Sequence, residues 1–336
     1  MRSFLFGARW GVAAGALAVV TAIALGAWYA LWVPGRSADG PLPVPTSEVR
    51  QLASALRGHV EAISSTARNR DHPEAYARAA LTIERHFSDL GYEVLRQDFE
   101  TSDGFAAVNL WTEIRPRDQA EPEWLIVGAH YDSAGFAPGA NDNGSGTAAV
   151  LELARLLKGW SPARLGILLV LFANEEPPYF GTDDMGSRRM AMLLSQRKAK
   201  IAGMISLETI GWFDDRPGSQ EYPPPLSALF PSKGNFVAFV AMPGSRSFLH
   251  EVLARFRAVS PIPSIGGVAP GIIPGIDWSD HASFADRSIP ALMVTDTALF
   301  RYPHYHKRTD TPDKVDYDRL ALVTLSMAHV VRELAR

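Results

Sequence analysis

Apolar residues recur along the chain in two patterns that predict different elements. Across residues 47–66 and 73–90 they return every three or four positions, which is the spacing of one face of a helix. Further along, several runs are apolar at almost every position, as in strands that helices cover on both faces of a sheet. These predicted strands are residues 93–99, 106–114, 123–129, 165–173, 202–207, 235–241 and 290–296. The patterning therefore predicts an α/β fold.

Domain boundaries follow from where this patterning stops. It continues from residue 47 to residue 336 without an internal repeat, which predicts one large domain. Proline and glycine are concentrated in residues 34–46, which we predict to be a linker, and again around residues 212–278. The second segment is predicted to be a loop insertion over a site, because long ordered loops in compact domains are commonly lids or specificity elements.

The first part of the chain has a different character. Residues 10–33 contain no charged side chain, and a helix that spans a bilayer needs about 20 residues. Because two arginines precede this run, we expect residues 1–9 in the cytoplasm and a single-pass signal anchor at 10–33 in the cell (inner) membrane. The large domain would then lie on the periplasmic or other extracytoplasmic side. Cleavage as a signal peptide is the alternative, because Ala22-Ile23-Ala24 offers the small residues of a cleavage site.

Composition excludes several classes of function. The net charge is -3 and no long basic run is present, so we expect no nucleic-acid partner. The absence of cysteine excludes disulfides, thiolate zinc ligands and cysteine nucleophiles. The sequence leaves the oligomeric state open.

Acidic residues and a histidine stand directly after three of the predicted strands. The third strand in chain order is followed by His130 and Asp132, the fourth by Glu175 and Glu176, and the fifth by Glu208. Ligands of open α/β sheets bind outside the carboxyl ends of the strands. Because unpaired buried carboxylates are costly, this convergence predicts a bound cation.

Asp142 adds a carboxylate in the glycine-rich loop that follows His130. Taken alone, Asp142 is equally typical of a turn or a helix N-cap, and His130 of a hydrogen-bonded structural histidine. His130 and Asp132 are two residues apart and therefore share one face of an extended segment, where a carboxylate orients a ligand histidine. A phosphate loop is disfavoured because no Gly-Lys-Ser/Thr follows, and the alternating oxygens of a calcium loop are missing. The set predicts zinc or a similar divalent ion.

Five ordered motifs carry a family resemblance. They are "HYDS" with "GANDNGSG", then "NEEPP", "SLETIG", "SDHASF" and "HYHKRTDTPD". This chain resembles the M28 family of zinc-dependent exopeptidases, typified by bacterial aminopeptidases, from about residue 50 to its end. The resemblance implies a mixed, mostly parallel sheet of about eight strands between helices, with two metal ions at the carboxyl ends of the strands.

Carried over position by position, the resemblance implies the ligands of two zinc ions: His130 and Glu208 for one, Glu176 and His306 for the other, and Asp142 bridging both. The family commonly has aspartate where this chain has Glu208, so this ligand is one methylene longer. His306 is preferred to His304 because it stands four residues before Asp310, as the ligand histidine of the family does. Asp310 itself is equally typical of a cap or a turn.

The resemblance also implies roles beyond metal binding. Asp132 would orient His130, and Glu175 would be the general base that takes a proton from water and returns it to the leaving amine. Asp280 and His281 would lie near the site, where Asp280 supports a ligand or holds the substrate amine. A helix N-cap is an equal interpretation of Asp280.

These inferences predict a membrane-anchored metallo-exopeptidase that removes N-terminal residues from peptides. A glutaminyl-cyclase-like acyl transferase with a single zinc is the first alternative, and the presence of His130 favours two metals and hydrolysis. A carboxypeptidase remains open, because the sequence does not reveal which end of the substrate is held. A binding domain without catalysis would be expected to have lost ligands, and none is missing.

Overall fold

The computed structural model describes residues 2–119, 121–222, 224 and 226–336, without the side chains of residues 2–14 and 16. The α-helices of this part are α1 (Arg2–Leu31), α2 (Ser47–Ile63), α3 (Pro73–Asp89), α4 (Gly144–Leu157), α5 (Gly186–Gln196), α6 (Arg246–Val259), α7 (His281–Ala285) and α8 (Tyr317–Leu334). The strands are β1 (Leu95–Glu100), β2 (Ala106–Ile114), β3 (Glu123–His130), β4 (Leu165–Phe172), β5 (Ile201–Glu208), β6 (Val237–Ala241), β7 (Ser264–Val268) and β8 (Ala291–Thr295). Both predicted helices before the first strand are confirmed as α2 and α3, and all seven predicted strands are present.

The strands form one mixed sheet in the order β1-β2-β4-β3-β5-β8-β6-β7. The central strands β4, β3, β5 and β8 are parallel to one another. At one end β2 is antiparallel to both β1 and β4, and at the other β6 is antiparallel to β8 and parallel to β7. The predicted α/β fold with a mixed, mostly parallel sheet of about eight strands is confirmed.

Helices cover both faces of the sheet because successive strand residues point to opposite sides. In β4 the odd-numbered residues from Leu165 to Leu171 belong to the larger core, to which α2, α3, α4, α6 and α8 contribute. The even-numbered residues from Leu168 to Phe172 belong to the smaller core, with side chains of α5 and α7. Burial on both sides explains why this strand is apolar at every position except its glycine.

β7 is the strand that no apolar run predicted. Its sequence contains two adjacent glycines, and both lie where a side chain would not fit. A Cβ on Gly266 would lie 2.6 Å from Leu253 Cδ2 of α6, and one on Gly267 would lie 2.9 Å from the carbonyl oxygen of Ala30. The predicted loop insertion at residues 212–278 contains three regular elements, β6, α6 and β7. Its long irregular segments therefore lie before β6 and after β7.

Helix α1 ends against the β7 edge of the sheet. Arg246 Nε of α6 donates a hydrogen bond to the carbonyl oxygen of Tyr29 at 2.8 Å. Arg257 Nη1 donates to the carbonyl oxygen of Pro34 at 3.0 Å, so the start of the predicted linker is bound to the domain. Among the residues whose side chains the structure describes, no helix is long and apolar enough to cross a membrane, and part of the predicted span 10–33 lies outside those residues.

Candidate metal centre

Three parallel strands bring the predicted site residues to one edge of the sheet. β3 lies between β4 and β5, and its last residue, His130, pairs in register with Phe172 at the end of β4. Glu175 and Glu176 follow β4 by a short turn, and Glu208 is the last residue of β5. The carboxyl ends of the strands therefore meet at the same place, as the sequence predicted.

One group of ligand atoms surrounds His130. Its Nε2 lies 3.4 Å from Asp142 Oδ1 and 3.3 Å from Glu208 Oε2. Glu175 Oε2 is farther away, at 3.7 Å from the same nitrogen. These four side chains are almost completely buried. The side chain of Glu208 is thus long enough to bring its carboxylate to the imidazole of His130.

A second group of ligand atoms surrounds His306. Its Nε2 lies 3.1 Å from Asp142 Oδ2 and 3.3 Å from Glu176 Oε2. Asp142 therefore directs one carboxylate oxygen to each group. Each trio has ligand atoms within 4.8 Å of one another, which is close enough to hold a metal ion. His306 is the most exposed of these side chains, at 36%.

Both the His130 group and the His306 group contain buried polar atoms that lack a hydrogen-bond partner among the described residues. Within this part of the chain, neither ring nitrogen of His130 makes a hydrogen bond of normal geometry, and neither does Asp142 Oδ2 or Glu176 Oε1. Burial lowers the pKa of His130, but the carboxylates of Glu208 and Glu175 outweigh it and raise that pKa well above its usual value. Burial and Asp142 raise the pKa of Glu176 to about 7. Such atoms are costly unless paired, and imidazole nitrogens with carboxylate oxygens are a donor set that suits zinc.

Known proteins are similar to this chain in sequence, and others are similar to it in fold. The sequence profile of peptidase family M28 matches residues 109–331, which is more than half of the chain. The chain belongs to peptidase family M28. Escherichia coli (strain K12) YfbL, described as an uncharacterized protein, is 40% identical over 265 residues, which cover 76% of this chain and 80% of YfbL. Membership makes the chain a zinc-dependent peptidase that acts on peptide substrates.

Solved structures with a fold similar to that of this M28 peptidase include enzymes of more than one activity. BSAP, a zinc aminopeptidase from Bacillus subtilis, has a TM-score of 0.66 and 16% identity, covering 88% of this chain and 96% of BSAP. A glutaminyl cyclase from Fimbriiglobus ruber has a TM-score of 0.64 and 20% identity, covering 88% of this chain and 97% of the cyclase. At these identities the likeness concerns the fold alone.

Asp132 connects the two strand ends of the M28 peptidase. Its Oδ1 accepts a hydrogen bond from the backbone N–H of Glu175, and its Oδ2 accepts one from that of Glu176, both at 3.0 Å. Asp132 Oδ1 also lies 3.3 Å from Nδ1 of His130. A single carboxylate thus accepts hydrogen bonds from the backbone of both glutamates at one strand end and lies close to the imidazole at the next.

Arg68 holds the loop between His130 and Asp142 in place, a role that no sequence pattern predicted. Its guanidinium is fully buried and donates to the carbonyl oxygens of Tyr131 at 2.5 Å and Gly139 at 2.9 Å, and also to that of Pro138. Burial lowers the pKa of Arg68 to about 10, so the side chain is a cation at neutral pH. The loop path therefore depends on a residue outside the loop.

Asp310 supports the same loop from the other side. Its Oδ1 accepts from the backbone N–H of Asn141 at 2.8 Å, and its Oδ2 accepts from that of Asp142 at 3.1 Å. The hydroxyl of Tyr302 donates to Oδ1 at 2.6 Å. Asp310 is thus neither a simple cap nor a turn former but an acceptor that places the backbone of the shared ligand.

Glu208 is positioned by polar side chains from two other segments. Ser279 Oγ donates to Glu208 Oε2 at 2.8 Å. Asn143 Nδ2 donates to the carbonyl oxygen of Leu207 at 2.8 Å, and Asn143 also caps α4. A Cβ on Gly146, in the first turn of α4, would lie 2.2 Å from that same carbonyl oxygen. The helix that follows Asp142 therefore packs directly on the end of β5.

Asp280, His281 and His304 remain of the residues that the sequence analysis considered for the site. Asp280 is fully buried, and burial raises its pKa to about 7. Neither of its oxygens has a hydrogen-bond partner within the part of the chain that the structure describes. It occupies the N-cap position of α7 without making a capping bond. His281 Nε2 lies 2.8 Å from the carbonyl oxygen of Ile276, and His304 Nδ1 lies 2.9 Å from Thr309 Oγ1. Neither histidine belongs to a candidate metal group of the described chain.

Proposed function

We propose that this M28 peptidase is an aminopeptidase with two zinc ions. The observation that carries the proposal is the position of Asp142, whose Oδ1 lies 3.4 Å from His130 Nε2 and whose Oδ2 lies 3.1 Å from His306 Nε2. His130 and Glu208 would complete the ligands of one ion, and Glu176 and His306 those of the other. Bound zinc supplies Lewis acidity, which lowers the pKa of water and polarises a carbonyl group.

Glu175 is proposed as the general base. Of the three acids that face Nε2 of His130, Glu175 is the most distant, at 3.7 Å, and it shares no candidate metal group with Asp142. It does form one with His130 and Glu176. Burial raises its pKa well above the usual value, and the neighbouring carboxylates of Glu208 and Glu176 add to this. A carboxyl group with a raised pKa is suited to accept a proton from water and to return it to the leaving amine. Asp132, through its hydrogen bond to the backbone of Glu175, would keep this carboxylate in place.

The buried side chains beside the centre are acidic, which favours binding of the positively charged amino end of a substrate. Among the buried acids that are not proposed ligands, Glu175 and Asp280 interact electrostatically with each other and with Glu208 beside the centre. The buried cation nearest to the loop, Arg68, has its donors directed at backbone carbonyls. A free α-ammonium group is therefore better accommodated here than a C-terminal carboxylate, which would need a cation to hold it.

An apolar cavity of about 150 Å³ beside Glu208 favours large apolar side chains. Its walls come from the last three strands of the sheet and the loops that follow them, with Phe239, Ile276, Trp278 and Met293 among the lining residues. Burial of an apolar side chain in such a cavity contributes about 1.5–3 kcal/mol. We therefore propose leucine-like or larger apolar N-terminal residues as the preferred substrates.

Hydrolysis of aminoacyl 4-nitroanilides tests this function. We expect turnover of the leucine compound, little turnover of the aspartate compound, none of the N-acetylated leucine compound, and loss of activity in chelator with recovery on adding zinc. Release of C-terminal residues from N-blocked peptides would instead indicate a carboxypeptidase. Conversion of N-terminal glutamine to pyroglutamate without hydrolysis would indicate a cyclase, and inertness toward all substrates would indicate a binding domain.

We also propose that residues 10–33 anchor the enzyme in the cell (inner) membrane, with the peptidase domain on the extracytoplasmic side. The absence of charge over this run supports the proposal. Full-length enzyme should stay in the membrane fraction after a high-salt wash and leave it only with detergent. Release by salt would contradict an anchor, because salt weakens ionic contacts and leaves an apolar helix in place.

A further inference from the structure

A second cluster of ligand-type side chains lies among the helices of the larger core. His59 of α2, His86 of α3 and Glu152 of α4 converge there, and one ligand atom of each lies within 4.8 Å of the others. Glu152 is buried, whereas both histidines are only partly buried. None of the three belongs to the candidate metal centre.

The contacts of Glu152 use both of its oxygens. Oε1 lies 2.9 Å from His59 Nε2, and Oε2 accepts from Arg155 Nε at 2.6 Å. These bonds satisfy the carboxylate. They give no reason for a second imidazole at the same point, yet the rings of His59 and His86 meet edge to face with centroids 4.5 Å apart.

The hydrogen bond of His86 to the backbone occupies one of its two ring nitrogens and leaves the other available as a ligand. Its Nε2 lies 3.1 Å from the carbonyl oxygen of Leu151. A carbonyl only accepts, so Nε2 carries the proton and the lone pair of the neutral ring is on Nδ1. Ligand histidines typically donate their other ring N–H to a backbone carbonyl or a carboxylate in this way. Burial lowers the pKa of His86, which keeps the ring neutral.

We propose that His59, His86 and Glu152 bind a divalent transition-metal ion, with zinc as the preferred metal. Two imidazoles and one carboxylate form a three-ligand zinc set, and the partial exposure of the histidines leaves a fourth position for water. The ion takes the place of the proton between His59 Nε2 and Glu152 Oε1, and the proton of the neutral imidazole then resides on Nδ1. Zinc–nitrogen and zinc–oxygen bonds of about 2.0–2.2 Å require these two atoms to separate by only a few tenths of an ångström.

The three ligands come from three different helices, so the ion would connect α2, α3 and α4. This site is independent of the proposed peptidase mechanism, because it shares no residue with it. Loss of the ion is therefore expected to leave turnover at the metal centre unchanged.

Zinc content of the full-length enzyme tests the proposal. After equilibration with excess Zn²⁺ and gel filtration, elemental analysis should find about one zinc ion more per chain in the wild type than in His59→Gln. The glutamine amide can still donate to Glu152 but is a poor zinc ligand, so a purely structural role of His59 would leave the zinc content unchanged. Glu152→Gln should lose the same single ion.

The matched control is His329→Gln on α8, a partly buried histidine outside the cluster. It should keep the wild-type zinc content. Equal zinc content in the wild type and His59→Gln would overturn the proposal, and so would an equal loss in His329→Gln. Anomalous scattering at the zinc edge from wild-type crystals needs no variant. A peak between α2, α3 and α4 is expected, and crystals soaked in zinc without that peak would also overturn it.

Discussion

Replacing Glu175 with glutamine is expected to reduce turnover of leucine 4-nitroanilide by about 10²–10⁴-fold, the range for loss of a general base, while zinc content stays at the wild-type value. Glutamine has nearly the same shape and can stay in the buried position of Glu175, but its amide cannot take a proton from water. The hydrogen bond from the backbone of residue 175 to Asp132 does not depend on the side chain and should persist. Steady-state kinetics and elemental analysis of the same preparation provide both measurements.

Glu176→Gln is the matched control, because Glu176 is the next residue and is equally buried. It should lose zinc as well as activity, since Glu176 faces His306 as a proposed ligand. Wild-type turnover in Glu175→Gln would place the base elsewhere. Loss of zinc from Glu175→Gln would instead make Glu175 a ligand, an arrangement that its grouping with His130 and Glu176 also accommodates.

Asp142→Asn is expected to have the largest effect on metal binding. Asp142 is the one residue shared by both trios, and asparagine removes the negative charge that both ions would share. The variant should retain less than half of the wild-type zinc bound at the centre and show no measurable hydrolysis. The backbone N–H of residue 142 keeps its bond to Asp310, so the fold should be preserved and circular dichroism should match the wild type.

Asp184→Asn provides the corresponding control for Asp142→Asn. Asp184 is also a buried aspartate, but its partners are Arg189 and the backbone of Ser102, away from the centre. It should keep its zinc and its activity. Full zinc occupancy in Asp142→Asn would show that the two groups do not depend on a shared carboxylate.

The central part of the fold and the convergence of the candidate ligands could be predicted because both depend on local sequence. Strands buried on both faces must be apolar along their length, so β3, β4 and β5 are visible as runs. Polar residues that directly follow such runs are easy to recognise in the sequence. Parallel pairing of the strands then brings His130, Glu176 and Glu208 together, regardless of the segments that connect the strands.

The supporting residues could not be predicted because their partners are distant in the sequence. Arg68 contacts a loop more than sixty residues away through backbone carbonyls, which leave no trace in side-chain composition. Asp310 contacts the backbone of Asn141 and Asp142 in the same way. β7 was missed for a related reason, since its glycines are required by contacts with α6 and α1 and not by strand propensity.

The buried guanidinium of Arg68 also limits how the enzyme can be shortened. The match to the family begins at residue 109, and a chain trimmed to that point would retain all the proposed zinc ligands. It would lose the side chain that pairs with the carbonyls of Tyr131 and Gly139, at a cost of about 1–3 kcal/mol for each buried acceptor left unpaired. A minimal catalytic fragment of this protein therefore has to begin before Arg68, well upstream of the region that the family profile matches.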